Sequence, residues 1–174
     1  MRDLRYSRRA AAGAALLHFA VSWCAACAGV LLRPGEASAQ QKPVAAYERL
    51  ELVTTGGVYA LDVEVAATPE MQALGLMYRT SLPETKGMLF PHKQPRELTM
   101  WMRNTYIPLD MVFIRADGTV HRIEAMTEPL ADRIIASQGP VLAVLEIAGG
   151  AAARMGLKPG DTVRHPVFGS GPSR

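Results

Sequence analysis

Leu109-Asp110-Met111-Val112-Phe113-Ile114-Arg115-Ala116-Asp117-Gly118-Thr119-Val120-His121-Arg122-Ile123-Glu124-Ala125-Met126 is the stretch that decides the fold. From 109 to 114 every residue except Asp110 is apolar, which is the pattern of a strand covered on both faces. Asp117-Gly118 supplies the residue pair that tolerates the positive φ angles of a tight hairpin turn, and the chain returns along Thr119 to Met126. Working outward, the same grammar recurs on both sides. Glu48 to Thr54 alternates charged and apolar residues, Gly56-Gly57 turns, and Val58 to Ala66 alternates again, setting Tyr59, Leu61, Val63 and Val65 against Val58, Ala60, Asp62 and Glu64. Val141 to Ile147 is a second doubly covered run, broken only by Glu146.

Shorter signals fill the gaps. Thr68 can cap a helix whose first position is Pro69, with Glu70 in its first turn and Gly75 at its stop. Pro83, Gly87 and Pro91 break any long element between 80 and 94, so only Met88-Leu89-Phe90 is expected there as a brief buried strand. An extended segment is predicted over 97–103, with Leu98, Met100 and Met102 on one face and Thr99 and Trp101 on the other. Gly149 to Met155 reads as a short helix ended by Gly156, Lys158-Pro159-Gly160-Asp161 as a turn, and Thr162 to Val167 as a last strand, with a polar tail fraying from His165 to Arg174. The count is about seven strands at hairpin spacing with two short helices. The fold class is therefore mainly β, a β-rich α+β domain built as a small antiparallel barrel or sandwich.

The 174 residues, 20% charged and 49% apolar with 15 Gly and 12 Pro, have room for one such domain, which falls at residues 48–167. Residues 1–39 precede it with a basic start, an apolar run from Ala10 to Leu32 and the small-x-small site Ala37-Ser38-Ala39, the layout of a secretory signal peptide. Ser7-Arg8-Arg9 hints at twin-arginine export, and the alternative is an uncleaved inner-membrane anchor. Residues 40–47 read as a flexible lead and 168–174 as a disordered tail. The expected location is exported and periplasmic, with membrane contact only through an uncleaved leader.

The leader also holds both cysteines, Cys24 and Cys27, so the remainder offers no disulfide, zinc-thiolate site or cysteine nucleophile. It carries five of the 19 basic and two of the 16 acidic residues, leaving 14 of each. A neutral remainder gives no electrostatic reason to expect nucleic acid as a partner. No glycine-rich phosphate loop and no Gly-x-Ser-x-Gly setting occurs, so no nucleotide cofactor or hydrolase triad is expected.

Five motifs in order carry a family resemblance: Gly75-Leu76-Met77-Tyr78-Arg79, Gly87-Met88-Leu89-Phe90, Met100-Trp101-Met102-Arg103-Asn104-Thr105, Pro108-Leu109-Asp110-Met111-Val112-Phe113-Ile114, and Val144-Leu145-Glu146-Ile147-Ala148-Gly149, closed by Gly160-Asp161. From about Glu51 to Val167 the chain resembles the bacterial and archaeal domain of unknown function numbered 192. Arg103 departs from the Lys that many relatives carry and keeps the charge. The resemblance implies a small, β-rich, often exported domain with no established catalytic role.

Asp110 and Glu146 are the informative side chains, because each interrupts a run that otherwise reads as covered. A buried carboxylate must be paired, hydrogen-bonded, protonated or opened to a cleft. Arg103 is the expected partner of Asp110. One reading makes the two acids fastenings for neighbouring loops. The other places them with Trp101, Arg103 and Asn104 around a cleft that binds a small polar ligand, carbohydrate among the candidates, or a partner peptide, without catalysis. Two further readings compete: a glycosidase-like hydrolase using the Asp110–Glu146 pair, and a periplasmic Cu(I) carrier using Met100 and Met102. No metal site is predicted from the histidines, because His92, His121 and His165 stand in isolation.

Overall fold

A computed structural model describes residues 46–171. The leader, most of the flexible lead and the last three residues lie outside the described residues. The elements are β1 (Tyr47–Thr54), β2 (Gly57–Val65), α1 (Pro69–Leu74), β3 (Lys86–Arg96), β4 (Thr99–Met100), β5 (Leu109–Ile114), β6 (Val120–Glu124), β7 (Ile135–Ala136), β8 (Val141–Ala148), α2 (Ala151–Arg154) and β9 (Thr162–Arg164). Seven of the strands form one sheet in the order β6-β5-β8-β3-β2-β1-β9, and β4 pairs with β7 as a small second sheet.

The expected hairpins form. β1 and β2 pair from Tyr47↔Glu64 to Thr54↔Gly57 across the Gly56-Gly57 turn. β5 and β6 join through Asp117-Gly118, with Gly118 at φ 82° and Asp117 Oδ1 accepting the Thr119 N–H at 2.9 Å. Helix α1 has the capping expected of it: Thr68 Oγ1 accepts the Met71 N–H, Pro69 opens the first turn, and Gly75 closes the last at φ 49°.

One strand pair departs from antiparallel: β2 and β3 run parallel, from Asp62↔Lys86 to Val65↔Leu89, with α1 in the crossover. The main sheet curls until its edges touch. Thr119 bridges Thr162, the Val120 N–H donates to Asp161 O at 2.8 Å, and the Val163 N–H donates to Gly118 O at 2.8 Å. This corner contact pairs one end of the two edge strands and shortens the exposed ladder that an open sheet presents for mispairing.

Both faces are covered. Inside the curl, Leu50, Leu52, Val63, Val112, Leu145, Ile147 and Val163 form one core with α2. On the outer face, Met88, Phe90, Met111, Phe113 and Val144 form a second core beneath Leu76, Leu98 and Met102 of the connecting segments and Ile135 of β7. This two-sided cover is why β5 and β8 read as near-continuous apolar runs.

Three local expectations are corrected. β3 is eleven residues long rather than three. It keeps Pro91 in register opposite Ala143 and then bulges, because Arg96 next faces Val141, and the residues between, Pro95 among them, have no ladder partner to satisfy. The extended segment 97–103 is a strand only at Thr99–Met100, although Leu98 and Met102 do point inward as expected. The C-terminal end is anchored further than expected: His165 is buried and bridges Ser170 around a short 3-10 helix at Pro166–Phe168.

Candidate functional site

Registers fix where the two acids point. Residues directly opposite in a ladder share a face, so Glu146 stands in a row with Met88 of β3 and Met111 of β5 on the outer face. Asp110 faces Ile147 and Gly87 lies beyond, in the adjacent row, which points into the curl. Asp110 and Glu146 therefore lie on opposite faces of the sheet. The expectation that they share one cleft is corrected by this one-residue offset.

Asp110 is a fastening. It is 0% exposed, its Oδ1 accepts the N–H groups of Met126 at 2.8 Å and Gly150 at 2.9 Å, and its Oδ2 accepts the Ala152 N–H at 2.9 Å. Gly150 begins α2 without a side chain to cap it, and Asp110 supplies from β5 the acceptors that the helix start needs. The expected Arg103 partnership does not form. Arg103 reaches outward to Asp132 at 2.8 Å, with 61% of its side chain exposed, and lies 5.8 Å over the Trp101 ring.

Glu146 occupies a different environment. Its row across the sheet runs Tyr47, Glu64, Met88, Glu146, Met111, Glu124, glutamates alternating with methionines. The two flanking acids each have arginines. Arg79 grips Glu64 with both terminal nitrogens, at 2.5 and 2.8 Å, and Arg122 and Arg133 hold Glu124. Those hydrogen bonds pull the Glu64 and Glu124 carboxyls below the usual carboxylate range. The Glu146 side chain, in a residue only 4% exposed, has no hydrogen bond from any described residue, and the distant Arg79 is the one charge acting on it. Burial pushes its pKa up to about 8 despite the more distant Arg79 charge, so it is a neutral acid at physiological pH.

Glu146 lines a pocket of about 300 Å³. One wall comes from α1 and the loop after it, Gln72 to Met77, a second from Phe90, His92 and Arg96 of β3, and a third from Glu97 to Trp101, with Thr105 completing it. Burial, and then the Arg96 charge, lower the His92 pKa. Trp101 stands at the mouth, 43% exposed, beside the exposed Leu74. The segments that follow the lining residues Met77 and Thr105 set Tyr78 edge-on to Tyr106, with ring centres 6.1 Å apart. Tyr78 and Asn104 both adopt positive φ, 64° and 57°, and the Tyr78 N–H donates to Asn104 O at 2.8 Å. An aromatic residue held there is strained, and such strain gathers at ligand clamps.

Of the five residues expected around a cleft, Trp101 and Glu146 line the pocket, while Arg103 and Asn104 flank Trp101 and the loop behind it, and Asp110 is elsewhere. Of the two thioethers, Met100 lines the pocket and Met102 is buried, its sulfur accepting the Thr127 hydroxyl at 3.1 Å. Among the described residues no group of three or more His, Cys, Asp or Glu converges as a metal site. Sequence reasoning missed Glu64, Arg79 and Phe90. Glu64 looked like an ordinary outward residue of an alternating strand, and only the parallel partner β3 reveals that its face is covered.

Fold and site together define a small curled-sheet domain with a sealed interior and a single-sided pocket built on its outer face. The family DUF192, described as an uncharacterized ACR, matches residues 51–165, and the chain belongs to it. Two crystal structures are similar. A protein from Sinorhizobium meliloti 1021, described provisionally as a transcription regulator, is 42% identical, with a TM-score of 0.68 over 70% of this chain and 95% of that one. A protein of unknown function from Novosphingobium aromaticivorans DSM 12444 is 44% identical, with a TM-score of 0.67 over 68% of this chain and 85% of that one. No curated protein matches.

Proposed function

We propose that this chain is an exported, non-catalytic binding module whose pocket takes one small organic ligand, with Glu146 as the buried polar anchor and Trp101 as the stacking surface at the mouth. The observation that carries the reading is the unpaired carboxyl. A buried polar group without a partner costs free energy that a ligand supplying the partner recovers. The flanking glutamates show that this sheet face can provide arginines, so leaving Glu146 without one is a property of the site and not of the fold. A mostly apolar wall with a few convergent polar groups is the usual composition of a small-molecule pocket.

The hydrolase reading finds no support in the registers, since its two carboxyls lie on opposite faces of the sheet. Nothing among the described residues favours the regulator role by which the Sinorhizobium protein is described. The longest helix among the described residues has six residues, too short to serve as a recognition helix, and the charge outside the leader balances. Export rests on the layout of the leader, and fractionation of cells with N-terminal sequencing of the recovered protein tests it.

Binding is tested by screening a small-molecule library against the full chain by NMR, with the Trp101 indole N–H as reporter. Compounds that move this signal, and lose their effect in Glu146→Leu, support the reading. A library that leaves it unmoved overturns it.

A further inference from the structure

Resting on that reading of the pocket, we infer that the site selects uncharged ligands that present a hydrogen-bond donor and acceptor side by side, the edge of a primary amide or a lactam, to the Glu146 carboxyl. A neutral carboxyl offers one O–H donor and one carbonyl acceptor next to each other. The complementary edge is an acceptor beside a donor, and an amide closes a two-bond ring with it, leaving neither group unsatisfied. Alcohols satisfy only half of this edge at a time.

Charged head groups fit less well. A carboxylate would need a free cation at the base of the pocket, and the nearest one, Arg79, already spends both terminal nitrogens on Glu64. Arg96 lies further along β3, beyond the bulge, with Glu97 next to it on the same wall. An ammonium would ionise Glu146 and leave two charges among Met88, Met111 and Phe90, side chains that give neither charge any further hydrogen bond. Arg79 with Glu64 and Arg96 with Glu97 cancel in formal charge, so the site is neutral overall when Glu146 holds its proton. About 300 Å³ lies at the small end of ligand pockets, which suits a single ring bearing the amide, its flat face toward Trp101.

The test holds the ring constant and varies the head: benzamide, benzyl alcohol, benzoate, benzylamine and toluene, titrated against the full chain at about pH 6.5 with the Trp101 indole signal as readout. Benzamide is expected to bind about 10-fold or more tightly than each of the charged probes and toluene, with benzyl alcohol between. Glu146→Gln, whose carboxamide presents the same kind of edge, should keep benzamide within about 3-fold, and Glu146→Leu should reduce it to the level of toluene. If benzoate or benzylamine ranks first, or if Glu146→Leu leaves benzamide unchanged, the amide inference is overturned while pocket binding stands. If neither these probes nor the wider library moves Trp101, the binding reading itself falls.

Discussion

Glu146→Gln should raise stability, by an amount that grows with pH. In the folded protein the Glu146 carboxyl is walled in by Met88, Met111 and Phe90 and holds its proton up to about pH 8, against an ordinary value of 4.5 in the unfolded chain. Between those two values the unfolded state has released a proton that the folded state keeps. The stabilisation associated with this group is thus complete below pH 4.5 and drains away as pH climbs to about 8, at about 1.4 kcal/mol per pH unit. Gln has nearly the shape of the neutral acid and does not titrate. The variant should match the parent near pH 4.5, exceed it by about 3 kcal/mol at pH 7, and by about 5 kcal/mol above pH 8. Urea denaturation of both chains across this range measures the difference. A gap that stays constant with pH would refute the reasoning, because it would mean that Glu146 is ionised in the folded protein or that the pocket solvates it as water does.

Three other substitutions separate the elements of the account. Asp110→Asn turns an NH₂ toward one of the three backbone N–H groups that Asp110 now receives, and thermal unfolding should report a loss of about 3 kcal/mol with benzamide affinity unchanged. Gly87→Ala places a Cβ 2.7 Å from the Glu146 carbonyl oxygen, forcing β3 and β8 apart, and should cost about 2 kcal/mol by denaturant titration. Trp101→Ala should weaken benzamide by about 5-fold, seen by ligand-observed NMR, while stability stays within about 0.5 kcal/mol, since the ring is 43% exposed.

How much was legible follows from which physics each residue reports. Gly56-Gly57, Asp117-Gly118, Thr68-Pro69 and Gly75 act through local backbone geometry, and each marks the turn or helix end its chemistry requires. The doubly apolar runs of β5 and β8 truthfully reported cover on both faces. Pairing between distant strands leaves no such local trace. The parallel contact of β2 with β3 depends on the crossover through α1, and the bulge that follows Pro91 depends on what β8 presents opposite.

The candidate site was half legible for the same reason. That Asp110 and Glu146 interrupt covered strands can be read from the chain. That they emerge on opposite faces depends on a register, and a slip of one residue would exchange the outcome. Asp110 then found main-chain donors from two loops, and Glu146 found none. Arg122 stands two residues before Glu124 on β6 and so on its face, but Arg79 and Arg133, which also hold these acids, come from loops that no spacing rule connects to the sheet row they serve.

The carbon NMR shift of the Glu146 side-chain carboxyl, followed through a pH titration of isotopically labelled protein and assigned with Glu146→Gln, probes the account at its root. A carboxyl that stays protonated through neutrality and titrates near pH 8 is the predicted result. Titration near 4.5, the value of a carboxyl in water, would contradict it, and would leave the pocket without the buried neutral anchor on which the proposed binding rests.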